Sequence, residues 1–223
     1  MLKINIKKYS IMKKIIIIGA GAMGSAFAVP CLENQNDVTL VGTHLEDDLI
    51  NNIQSSNNFH PALNIELPSK LKVEKFEKLK SILKEGIDII VAGVSSVGIE
   101  WFVKQITATY KKNLPIILLT KGLAIEDNEL ITLSDKIKKL LKEKGHGDVN
   151  ISAIKGPCLA AGLAYKMRTG TVIANPDIKE TEKLKKIIST NYYSTEVSDD
   201  LTGIELSGAI KNIYSMLIGA SEG

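Results

Sequence analysis

Only two of the 223 residues are cysteine, Cys31 and Cys158, and only one is tryptophan. Two thiols make neither a disulfide framework nor a metal cluster, so a reducing, cytoplasmic compartment is expected. Neither sign of charge dominates. The 28 Lys and Arg against 25 Asp and Glu leave +3, and the signs are interspersed, which excludes a nucleic-acid stripe. Lys136, Lys138, Lys139, Lys142 and Lys144 fall at helical spacing with Glu143 and read as a solvated face. Long apolar runs are missing as well. The most apolar stretch, IMKKIIIIGAGAMGSAFAVPCL, is interrupted by Lys13, Lys14 and several glycines. It suits neither a signal peptide nor a membrane span. No segment repeats at a period of ~20–50 residues.

What is present is an ordinary globular composition, 44% hydrophobic and 24% charged. The length suits one large domain, or one and a half, with a sizeable core. Short apolar runs alternate with amphipathic segments. The runs cover 14–18, 38–41, 87–92, 115–120, 149–154, 171–174 and 192–197. Helical patterns cover 22–34, 97–110, 126–144, 158–168 and 179–190. This alternation predicts strands buried on both faces, in a mostly parallel sheet wound with helices on both sides. Residues 43–80 are less regular, and the polar stretch SSNNFHPALNIELPSKL within them, 55–71, reads as a loop excursion. After Val197 a long helix is expected, with Ser198 and Asp199 as caps. The expected organisation is an extension over 1–11, an α/β domain over 12–197, and the start of a helical domain over 198–223. Met12 opens MKKIIIIGAGAMG, which looks like a natural start, so 1–11 reads as a loose extension or a misplaced start.

The first run leads into Gly19-Ala20-Gly21-Ala22-Met23-Gly24 and then a helix. In that setting G-x-G-x-x-G is a dinucleotide-binding fingerprint of a Rossmann-like, doubly wound sheet. Gly19 makes the tight turn, Gly21 lets a pyrophosphate approach the backbone, and Gly24 lets the helix pack on the strand. The helix N-terminus offers unpaired N–H groups to the phosphates. The second strand ends at Gly42-Thr43-His44, with no carboxylate until Glu46. A 2′-phosphate meets neither repulsion nor a basic grip there, so NAD and NADP both stay open.

Further strand ends face the same crevice. Ser95 sits at a small polar tip; it lies beside the cofactor or simply caps a helix. Lys121-Gly122 points a cation inward or is a surface lysine. Gly156-Pro157 opens another helix, and Cys158 beside it lacks an activating His or acid, so it reads as filler. In the last helix Leu206, Ile210, Ile213 and Leu217 form one apolar stripe. Lys211 lies off that stripe, near Ser207, Gly208 and Ser215. Gly203 and Gly208 each cost the helix roughly 0.8–1 kcal/mol relative to Ala. A close-approaching ligand or backbone would justify that cost. A lysine on so low a floor is either partly desolvated, and so able to exchange protons near neutrality, or a snorkelling residue at a tight crossing.

Together GAGAMG, TKGL, KGP and GIELSGAIKNIYSMLIGASEG resemble the NAD(P)-dependent glycerol-3-phosphate dehydrogenase family, from about Met12 to the last residue. The resemblance implies hydride transfer between glycerol 3-phosphate and dihydroxyacetone phosphate with NAD or NADP, serving glycerophospholipid synthesis. It implies Lys211 as the acid/base at the C2 oxygen, with Asn212, Lys121 and Gly156 at the substrate. It places Gly19 to Gly24, Thr43, His44, Ser95 and Lys121 at the cofactor. No metal, nucleic acid or membrane span is expected, and a homodimer is left open. The chain departs from the family's pattern at Val94, Gly98, Gly162 and Thr43-His44. Family members continue for about another hundred residues as a helical domain, so this chain is expected to be a fragment that binds cofactor and turns over poorly alone. The alternatives are an enzyme of the ketopantoate-reductase or β-hydroxyacid-dehydrogenase kind, and an inactive cofactor-binding module.

Overall fold

A computed structural model of the chain describes residues 12–222, apart from the side chains of Asn212, Ser215 and Glu222. The expectation about residues 1–11 lies outside the described residues. The elements run β1 (Lys14–Ile18), α1 (Ala22–Glu33), β2 (Asp37–Val41), α2 (Asp47–Ser55), β3 (Phe59–His60), β4 (Ile65–Glu66), β5 (Lys72–Glu74), α3 (Leu79–Lys84), β6 (Ile89–Ala92) and α4 (Ile99–Ile106). They continue β7 (Ile116–Leu118), β8 (Leu123–Glu126), β9 (Glu129–Thr132), α5 (Leu133–Glu143), β10 (Ile151–Lys155), α6 (Ala160–Ala164), β11 (Thr169–Ala174), α7 (Ile178–Ile188), β12 (Tyr193–Ser198) and α8 (Leu201–Glu222).

Among the described residues, eight strands form one sheet in the order β12-β11-β10-β7-β6-β1-β2-β5. All its pairs are parallel except β10 with β11. The strand order reverses between β1 and β6, so a ligand crevice is expected outside their carboxyl ends. The isoleucines of β1 are all buried, but they serve two layers: Ile15 and Ile17 join a core cluster with α1, Ile16 and Ile18 one with α4 and α5. A strand covered on both faces has to be apolar throughout. The doubly wound, mostly parallel sheet is therefore as expected.

Several local expectations are corrected. The 55–71 stretch is no plain loop: it holds the small β3-β4 hairpin, between α2 and the edge strand β5. The helix expected from 126 starts only at Leu133, because β8 and β9 form a hairpin first. Asp127 and Asn128 turn it with φ of 50° and 65°, the left-handed pair that Asp and Asn tolerate in tight hairpins. The helix expected over 158–168 is one turn and a half, Ala160–Ala164. The cap of α8 is Asp200, whose carboxylate accepts from Gly203 N at 2.8 Å, while Ser198 Oγ accepts from Asp200 N. No helix among the described residues is long and apolar enough to cross a membrane.

Candidate cofactor and substrate site

The glycine loop sits at the point where the strand order reverses. Gly19 has φ +111°, and a Cβ there would lie 2.7 Å from Gly93 C and O, just past the end of β6. A Cβ at Gly24 would lie 2.2 Å from Gly19 O, so only glycine lets α1 come this close to the turn. Gly21 differs: its Cβ would meet nothing nearer than Glu46 Oε1 at 3.9 Å. The loop is thus packed behind and open in front. Gly21 is the N-cap of α1, no side chain caps that helix, and no acid occupies its first turn. Its first N–H groups are available to an anion. The loop fits a dinucleotide pyrophosphate.

Two side chains pin the loop. Ser25 Oγ donates to Ala20 O at 2.9 Å, and His60 Nε2 contacts the same oxygen at 3.0 Å. Leu63 N donates to His60 Nδ1, so the proton of a neutral ring belongs on Nε2, facing Ala20 O. His60 lay in the stretch read as a loop, and its partner is forty residues away, beyond any local signal. Glu46 also folds back. Its Oε2 accepts from Ala20 N at 3.0 Å and Thr43 N at 2.7 Å. A carboxylate therefore stands at the tip of β2, where the sequence left the ribose position without one. Next to it the His44 ring lies 5.0 Å from Trp101, which lies 5.4 Å from Phe76.

A cleft of about 450 Å³ runs from the loop across the strand ends, lined by Gly21, Met23, Gly93, Ser95, Thr120 and Lys121 among others. A larger hollow, about 1080 Å³, lies at the opposite, amino ends of the strands, between Lys13, Asp88, Asn150 and Glu180. It contains none of the glycine loop. Gly156 backs onto β11, where a Cβ would come within 2.9 Å of Gly170 O and Thr171 Cα.

Lys121 leaves the end of β7 and is exposed; partial burial and the nearby Lys211 ammonium lower its pKa. On α8, Leu201, Glu205 and Gly208 follow at helical spacing on the face over the sheet, and Lys211, half-buried, comes next. The structure brings Lys121 and Lys211 together although ninety residues separate them. The side chain of Asn212 lies outside the described residues. The expected apolar stripe is not the packed face: Leu206, Ile213 and Leu217 are 41%, 57% and 62% exposed. Both costly glycines have a local reason instead. A Cβ at Gly203 would strike the Asp200 carboxylate at 2.0 Å, and one at Gly208 would press on Lys155. Cys158 is buried, and burial raises its pKa, which suits filler better than a nucleophile.

Lys155 is the residue that the sequence reading overlooked. It ends β10, is only 4% exposed, and its ammonium donates to Leu118 O at 3.2 Å and Thr120 O at 2.6 Å. Burial lowers its pKa to about 8, Glu205 opposing and Lys121 adding to the shift. Glu205 is fully buried; Ser134 N donates to its Oε1, while Oε2 has no hydrogen-bond partner among the described residues.

Comparison with known proteins identifies the family. Residues 14–181 match the family model described as NAD-dependent glycerol-3-phosphate dehydrogenase N-terminus. The chain is 35% identical over 206 residues to the NADP(+)-dependent glycerol-3-phosphate dehydrogenase of Archaeoglobus fulgidus, covering 92% of this chain and 59% of that one. It is 31% identical to the glycerol-3-phosphate dehydrogenase [NAD(P)+] of Mesoplasma florum, with coverage again 92% and 59%. Among solved structures, glycerol-3-phosphate dehydrogenase from Coxiella burnetii superposes with a TM-score of 0.80 at 24% identity, covering 95% of this chain and 61% of that one. At that identity the likeness shows the fold. The chain spans about three-fifths of the length of the curated relatives it matches.

Proposed function

The chain belongs to the family of NAD-dependent glycerol-3-phosphate dehydrogenase N-terminal domains, and from that premise we propose that it binds NAD or NADP on the glycine loop for the interconversion of glycerol 3-phosphate and dihydroxyacetone phosphate. The observation that carries the reading is the meeting of the open cleft at Gly21 with Lys121 and Lys211 at one end of the sheet. When bound, the nicotinamide accepts or supplies the hydride at the substrate C2. The chain's own groups do the rest. Ser25, His60 and Glu46 hold the loop so that the α1 N-terminus faces the pyrophosphate. The aromatic group of His44, Trp101 and Phe76 offers the adenine a surface at the β2 tip. Lys211 moves the proton at the C2 oxygen, and Lys121 together with Asn212 and Gly156 binds the substrate. Neighbouring ammonium groups favour a substrate carrying a phosphate, and partial burial and the Lys211 charge lower the pKa of Lys121. The reading includes α8 as the opening of a helical substrate domain, a cytoplasmic setting, a supply of glycerol phosphate for lipids, and a homodimer.

The test is cofactor oxidation. Dihydroxyacetone phosphate should oxidise NADH or NADPH in the presence of the protein, slowly with this chain alone, and ketopantoate should not. Lys211→Met should abolish turnover while cofactor binding, read by fluorescence, persists. Equal turnover of ketopantoate, or an active Lys211→Met variant, would sink the reading.

A further inference from the structure

The parallel ladder between β7 and β10 ends at Leu118 opposite Ala153. Beyond it the two chains part. β10 continues to Lys155, whose backbone register lies with Val172 of β11. The β7 chain runs on through Leu119 and Thr120 to Lys121, then bends at Gly122, φ +120°. Thr120 O thereby lies beyond the last pair of the ladder. A buried carbonyl in that position needs a donor from elsewhere. The Lys155 ammonium supplies it, and donates to Leu118 O as well. On the other side, Leu119 N donates to Ala92 O and Thr120 Oγ1 to Val94 O. The three residues before Lys121 are thus tied from two directions, and one of the ties is a buried cation.

That cation is itself held from above. Gly208 of α8 lies on its stem, where a Cβ would be 3.0 Å from Lys155 Cδ. Glu205, one turn earlier, supplies the facing negative charge, and Lys121 the facing positive one. A lysine is an expensive way to cap two carbonyls, since burial works against its charge. Its position accounts for it.

We propose that Lys155 is a positioning residue for Lys121: by holding Leu118 O and Thr120 O it sets the direction in which Lys121 leaves the sheet toward Lys211. The assignment of Lys121 to the substrate site rests on the function proposed above; the geometric link between Lys155 and Lys121 does not.

Trace acetylation of the protein across the alkaline range, read by mass spectrometry against a free-lysine standard, follows Lys121 directly and needs no substrate. Lys155→Met should free the β7 end, take Lys121 out of its partly buried setting near Lys211, and raise its labelling midpoint by about half a pH unit, a roughly threefold slower reaction at pH 8. Lys155→Arg keeps a cation with several donors and should restore the midpoint. Gly208→Ala pushes on the Lys155 stem with the charge intact, and should move the midpoint the same way while thermal stability holds. It decides the matter if Lys155→Met does not fold. An unchanged Lys121 midpoint in folded Lys155→Met, or in Gly208→Ala, overturns the proposal, whatever the enzyme's substrate proves to be.

Discussion

Adding one methyl group at Gly21 and one at Gly24 should produce opposite defects. At Gly24 the new carbon would lie 2.2 Å from Gly19 O and 3.3 Å from Gly19 C. Gly19 has no room to retreat, because Gly93 lies directly behind it and Gly19 N donates to Val41 O at 2.8 Å. The clash must be relieved by moving α1 off the sheet. Overpacking of this kind costs about 1–3 kcal/mol, which for a chain of this length lowers the melting temperature by roughly 5 °C. The loop moves with the helix, so cofactor affinity falls too. Gly21 has φ −60° and ψ 169°, which alanine adopts without strain. Its new carbon would meet nothing within 3.9 Å, so Gly21→Ala should melt within about 1 °C of the parent or slightly above it. Yet the methyl occupies the face on which a pyrophosphate must rest. Cofactor affinity should fall at least tenfold, about 1.4 kcal/mol. Thermal melts without cofactor and fluorescence titration with NADH and NADPH measure both halves. A Gly21→Ala variant that binds cofactor like the parent would refute the assignment of the loop's open face, and a Gly24→Ala variant with parental stability would refute the packing argument.

Glu46 offers a test of cofactor choice. Glu46→Gln keeps an oxygen for Ala20 N and Thr43 N but removes the charge, so the affinity for NADPH relative to NADH should rise about threefold or more at low salt; an unmoved ratio would mean the carboxylate does not reach the 2′-position. Lys155 predicts a pH dependence of stability. Its folded pKa of about 8 lies below the ordinary 10.5, so the unfolded chain binds more protons between those values and stability rises with pH across that window. The contribution is complete above pH 10.5 and is lost as pH falls through 8. That lowering of the pKa corresponds to about 3 kcal/mol. The difference between parent and Lys155→Met in denaturant titrations at pH 7.5 and 10.5 isolates it, and a flat difference would refute the burial of a charged Lys155.

The glycine loop was legible because its requirements are local. Each glycine answers to a backbone position within a few residues or to the strand beside it. The long central strands were legible for a similar reason, since burial on both faces demands an apolar residue at every position. The 43–80 stretch was not, because β3, β4 and β5 hold only two or three residues each, too few to show a period. The β8-β9 hairpin did carry a signal, the Asp127-Asn128 pair between two short alternating runs. It was hidden by the outward-facing Ile125 and Leu130, 73% and 70% exposed, which blur the contrast between an inner and an outer face.

The packing of α8 was half legible, and the missing half has a physical cause. Apolar periodicity marks the side of a helix that water disfavours; it does not say which side an existing sheet can receive. In this structure the face laid on β10 carries Leu201, Glu205 and Gly208, with Lys211 next in line. Glycine is there to admit the Lys155 stem, and the buried acid faces the buried base. A polar inner face is tolerable only where its charges have partners. Those partners come from β10, more than fifty residues earlier, and from the end of β7, so no window of sequence around Lys211 contains them. The lysine on the small-residue face could be found by its own neighbours. The buried lysine beneath it could be found only once β7, β10 and α8 were brought together.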